Sequence, residues 1–167
     1  MTVDTLRSIG QEIAALVRDY HGGPKREMLI DPALYAWFLA SGHGVERQYH
    51  VHLPGTQKPL RIDFRLKGSN PVLVEFAVRP PGGASQLYGS QNRGELRKLT
   101  GFSNKKAKLR ALLLIDLRSE PIHKNQLKPT YDKAHAGRGN FKRSPVQVIY
   151  THRQTAYSFK WSPFKAA

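Results

Sequence analysis

Between residues 46 and 78 the hydrophobic pattern switches from helical spacing to strict alternation, and that switch limits the folds open to the chain. Three short segments, 46–53, 59–66 and 71–78, are rich in β-branched and aromatic residues. Pro54-Gly55 and Gly68-Ser69-Asn70-Pro71 separate them. Such spacing predicts three strands in an antiparallel meander. Before it, Leu6, Ile9, Ile13, Leu16, Val17 and Tyr20 recur every three to four residues. They predict a helix over 4–20, with Asp4 as N-cap and Gly22-Gly23-Pro24 as its stop. Asp31-Pro32 reads as the opening of a second, short helix to about Ala40. After the meander, a helix is expected over 91–103 on Leu96, Leu99 and Phe102. A central strand is expected over 109–117, where Leu112, Leu113, Leu114 and Ile115 form an unbroken apolar run. A further helix near 121–133 and strands over 146–151 and 156–161 complete the order. This is the pattern of a single α/β domain, residues 1–167, with a mixed central β-sheet flanked by helices.

Charge narrows the partners. The 167 residues carry a formal net charge of +15, very unevenly spread. Residues 1–79 hold 10 Lys+Arg and 8 Asp+Glu, whereas residues 80–167 hold 17 and 4. Like charges repel in the compact state, so the excess points to a polyanionic partner. Nucleic acid comes first, DNA ahead of RNA, and an anionic membrane surface or an acidic protein second. A homodimer or a further protein partner is left open. No apolar run approaches the ~20 residues of a membrane span. The N-terminus lacks the basic-then-apolar order of a secretory signal, so a cytoplasmic location is expected. With no cysteine, disulfides and thiolate metal sites are excluded.

Two carboxylates stand out within the meander. In 59–66, Leu60, Ile62, Phe64 and Leu66 alternate with Arg61, Asp63 and Arg65; in 71–78, Val72, Val74, Phe76 and Val78 alternate with Leu73, Glu75 and Ala77. A five-residue connection from Lys67 to Pro71 pairs Leu66 with Val72 and brings Asp63 opposite Glu75, the register that also aligns the apolar faces. Opposed carboxylates repel and need compensation. A divalent cation is one solution, since Mg²⁺ takes hard oxygen ligands. An ion network with Arg61, Arg65 and Arg79, on the same face, is the other.

The element order, and an Asp and a Glu separated by 11 residues, resemble the PD-(D/E)XK nuclease superfamily, with its restriction-endonuclease-like α-β-β-β-α-β core. The resemblance spans roughly residues 4–117, leaving 118–167 as a basic C-terminal extension. It implies a Mg²⁺- (or Mn²⁺-) dependent endonuclease hydrolysing phosphodiester bonds, with Asp63 and Glu75 as metal ligands. A further acid comes from the first helix, where Glu12 sits; Glu46 is the competing choice. The family's Lys two residues after the Glu is here Ala77, and Ile62 stands where the family often has Pro. The missing ammonium therefore has to come from elsewhere, or the site is silent and the protein is a nuclease-like nucleic-acid-binding module of a larger assembly.

Gln91, Glu95 and Lys98 recur at i, i+4, i+7 and form one stripe beside Leu99 and Phe102. The resemblance puts such a helix next to the site, makes Gln91 and Glu95 water-orienting groups, and makes Lys98 first candidate for the ammonium; a solvated Glu95–Lys98 pair is the plainer reading. Arg79, permanently charged, could grip phosphate but not act as a base. Lys105, Lys106 and Lys108, and Arg138, Lys142 and Arg143 around Phe141, suit phosphate contact and base stacking. His50 and His52 share a strand face, and with Gly44 match the start of a cupin metal motif, but the expected Glu is replaced by Thr56 or Gln57. No P-loop, dinucleotide-binding glycine pattern or nucleophile elbow is present.

Overall fold

Alternation and helical spacing both translate into elements of the computed structural model, which describes residues 1–18, 27–52, 57–82, 87–101, 107–134 and 145–162. In chain order these are α1 (Val3–Arg18), α2 (Glu27–Ala40), β1 (Val45–Val51), β2 (Leu60–Leu66), β3 (Val72–Arg79), α3 (Arg93–Thr100), β4 (Leu109–Asp116), α4 (Lys124–Asp132), β5 (Val146–His152) and β6 (Thr155–Trp161). The six strands form one mixed sheet in the order β1-β2-β3-β4-β5-β6. The β1–β2 and β2–β3 pairs are antiparallel, β3–β4 and β4–β5 parallel, and β5–β6 antiparallel. Each parallel step is made through a helix, as a crossover requires.

The two faces of the sheet carry separate cores. Leu6, Ile9, Ile13 and Val17 of α1, with Ile30, Leu34 and Phe38 of α2, cover Phe64, Val74, Leu113 and Ile115. Leu96 and Leu99 of α3, with Leu127 and Tyr131 of α4, cover Ile62, Leu73, Leu112, Leu114 and Tyr150 on the other face. Strand β4 is buried from Arg110 to Asp116, which explains its unbroken apolar run. Residues beyond 117 add β5 and β6 to this same sheet, with α4 packed on one face.

Three local expectations change. Asp4 lies inside the first turn of α1, and Thr2 caps it instead, its hydroxyl accepting the Thr5 amide at 3.1 Å. Helix α2 starts at Glu27 rather than at Asp31, so Pro32 lies inside it. Lacking an N–H, Pro32 leaves the Met28 carbonyl without its helical donor, and Met28 is exposed, where solvent can serve it. Helix α3 begins at Arg93 after the Asn92 N-cap, so Gln91 precedes the helix instead of lying within it. The Gln91 and Asn92 amides close a turn on the Tyr88 carbonyl.

The feature that positions the site is a turn-over in the β1–β2 hairpin. Leu66 pairs with Val72, as the connection length predicts, but the β2–β3 ladder runs only through Arg65↔Leu73 and Phe64↔Val74. Past Phe64 the strand rotates. Phe64 and Leu66 pack into the α1/α2 core, whereas Ile62 and Leu60 pack on the α3/α4 side. The expectation of one apolar face from Leu60 to Leu66 therefore fails at Asp63. Strand β1 turns with it: Arg47 pairs Phe64 and Tyr49 pairs Ile62, and Gln48 between them has a left-handed φ of +52°.

Candidate active site

Where β2 parts from β3, the Asp63 carboxylate fills the gap. Its Oδ2 accepts the Phe76 backbone N–H at 3.0 Å, supplying the acceptor that a continued ladder would have offered. The Asp63 carboxyl also lies close enough to that of Glu75 for the two to interact. Glu75 is 1% exposed, and its Oε1 lies 2.8 Å from Lys98 Nζ. The same ammonium is ion-paired with Glu95, one helical turn earlier on α3. Asp63, Glu75, Glu95 and Lys98 thus form one cluster between two strands and the crossover helix.

The electrostatics follow from burial. Desolvation, reinforced by the neighbouring Asp63 charge, pushes Glu75 up to about 10, against a partial pull from Lys98. Desolvation also raises Asp63, opposed by its interaction with Glu75 and its hydrogen bond to the Phe76 amide. Burial thus disfavours having both acids of the pair charged at once. Burial works against the Lys98 ammonium, but Glu75 and Glu95 more than reverse it, and Lys98 stands above its ordinary value.

Beside this cluster opens a cavity of about 720 Å³ lined by Met28, Phe76, Ala77, Val78, Gln91, Asn92 and Glu95. Ala77 lies one pleat beyond Glu75, and its small side chain leaves that wall open. Asn92 is held by bonds from its amide to the Tyr131 hydroxyl at 3.1 Å and the Tyr88 carbonyl at 3.3 Å. Gln91 is exposed on the rim, with its Oε1 facing the Tyr88 amide at 3.4 Å.

Several expected site residues lie elsewhere. Glu12 is exposed on α1, whose neighbour Gly10 packs against Thr151 and Leu113, so it is not brought to Asp63 and Glu75. Glu46 pairs with Arg65 and Lys67. Arg79 is buried, and its charge is engaged inside the protein. Its guanidinium forms a two-pronged pair with Asp116 and also donates to the Glu120 carbonyl. Asp116 in turn accepts the Tyr150 hydroxyl. Arg65 lies over the Tyr49 ring at 4.8 Å, and Arg61 is exposed. The arginine network that could have neutralised the two acids is therefore replaced by the single lysine of α3. His50 and His52 are exposed on the edge strand and just past it. Lys108 is exposed; Lys105, Lys106, Arg138, Lys142 and Arg143 lie outside the described residues.

Sequence reasoning missed the Phe76 amide, Asn92 and Met28. Alternation assigns side chains to faces, whereas an amide freed by a diverging strand leaves no mark in residue types. Among the described residues, no group of three or more His, Asp or Glu side chains is gathered as a ready-made metal cage. The chain was compared with family models, curated proteins and solved structures, and none matches.

Proposed function

We propose that the protein is a divalent-metal-dependent phosphodiesterase acting on nucleic acid, built on a nuclease-like core of the PD-(D/E)XK kind. The observation that carries this reading is the meeting of Asp63 and Glu75 where β2 and β3 part, with the Lys98 ammonium on Glu75 and an open cavity alongside. The donor set fits a hard cation: two carboxylate ligands suffice for Mg²⁺ or Mn²⁺ when water and substrate phosphate complete the shell. Buried Glu75 beside Asp63, with a lysine drawn to it, marks a place that attracts positive charge. Such an ion, when bound, neutralises charge on the phosphate and makes a water more acidic.

The chain's own groups supply the rest. The Phe76 amide fixes the Asp63 carboxylate, so one ligand is oriented by backbone rather than by a flexible neighbour. Glu95 lines the cavity and accepts a proton or orients a water there. Lys98, permanently charged near neutral pH, stabilises negative charge developing on a phosphate oxygen. Basic side chains hold the polymer backbone. In a cleavage assay over supercoiled and linear DNA, single-stranded DNA and RNA, with Mg²⁺ or Mn²⁺, Asp63→Asn and Glu75→Gln should lower the rate by about a hundredfold or more while binding persists. Wild-type protein that binds these polymers but never cuts them would overturn the hydrolase. The second reading, a silent nucleic-acid-binding module, would then stand, and it is favoured by the lysine that already balances the acids.

A further inference from the structure

The positive charge in this site belongs to the protein itself. Lys98 Nζ lies within ion-pair reach of both Glu75 and Glu95, so one ammonium spans the two carboxylates. A divalent ion held by Glu75 would share a single carboxylate with the Lys98 ammonium on its Oε1, and two cations that close repel strongly. Meanwhile the cavity next to Glu95 is walled by Ala77, whose methyl leaves room for a displaced side chain. A lysine at the end of four flexible bonds can make that move, whereas the buried acids cannot.

We propose that Lys98 is a resident counter-ion that the metal displaces: on ion binding its ammonium leaves Glu75 and Glu95 and swings into the Ala77 side of the cavity, where it meets the substrate phosphate. The lysine thereby keeps buried Glu75, and Glu95 beside it, tolerable before the ion arrives and becomes a phosphate ligand only afterwards. This inference rests on the metal-dependent reading above.

Mn²⁺ affinity, measured by calorimetry and by electron paramagnetic resonance of the free ion, tests it independently of activity. Removing the competitor in Lys98→Met should tighten Mn²⁺ binding by at least about tenfold, while Lys98→Arg, which keeps the charge, should bind no better than wild type. Should Lys98→Met lose its fold, ¹³Cε-lysine NMR of the wild-type protein gives the second measurement. One lysine resonance, assigned through Lys98→Arg, should move as Mg²⁺ is added. Equal Mn²⁺ affinity in wild type and folded Lys98→Met, or a Lys98 resonance unmoved at saturating Mg²⁺, overturns the displacement alone. No Mn²⁺ binding by any of these proteins, with Asp63→Asn as control, overturns both the displacement and the metal-dependent reading.

Discussion

Glu75 links the candidate chemistry to stability. Between its ordinary value of 4.5 and about 10, folded Glu75 holds a proton that the unfolded chain has released. The folded state then binds more protons than the unfolded one, so stability falls as pH rises across that window. Lys98 acts in the same sense only above 10.5, where its raised pKa delays loss of the ammonium. Glu75→Gln, which mimics the neutral acid, should flatten this decline in denaturant titrations run from pH 5 to pH 9; an unchanged slope would show that Glu75 titrates normally. Arg79 makes a separate claim. Arg79→Ala strands the Asp116 carboxylate in the interior and should cost about 3–5 kcal/mol, whereas Arg61→Ala at the surface should cost under about 0.5. At this scale the residue types were legible: Asp63, Glu75, Glu95 and Lys98 all carry chemistry that burial makes expensive. The commitment of Arg79 was not, because its partner Asp116 is a neighbour only through the parallel register of β3 and β4.

Alternating and helical spacing found every strand and helix of the sheet, since each element buries one face or both and the residues record it. Boundaries slipped where backbone chemistry overrode side-chain pattern, as at Pro32 and at the Tyr88–Asn92 turn. The larger miss was the turn-over at Asp63, for which alternation has no symbol. Gln48 holds the opposite side of that turn in a left-handed conformation, which costs an ordinary residue about 1 kcal/mol or more. Gln48→Gly should keep or raise the melting temperature, and Gln48→Val should lower it, with the Asp63 site disturbed in the valine variant. Helix α1 offers a control remote from the site. A Cβ on Gly10 would stand 2.8 Å from Thr151 Cγ2 and 2.9 Å from Leu113 Cδ1. Gly10→Ala should therefore destabilise by about 1–3 kcal/mol through overpacking of α1 on β4 and β5, read from the denaturation midpoint.

For the molecule as a whole, basic side chains of the C-terminal half reach the surface. Arg93, Lys108, Lys124, Lys133, Arg153 and Lys160 are all exposed. Affinity for duplex DNA should fall with salt, log K against log salt sloping by about −0.9 for each phosphate neutralised. Equal affinity for an unrelated polyanion of matched charge density would instead favour the acidic-partner reading. No helix among the described residues is long and apolar enough to cross a membrane. The brevity of the β2–β3 ladder has a consequence of its own. Three ladder pairs, Phe64 to Leu66 with Val72 to Val74, and the Asp63 side chain on the Phe76 amide join the outer hairpin to the rest of the sheet. The seam past Phe64 can therefore open without unfolding the sheet, and amides of β2 before Phe64 should exchange with solvent faster than those of β4.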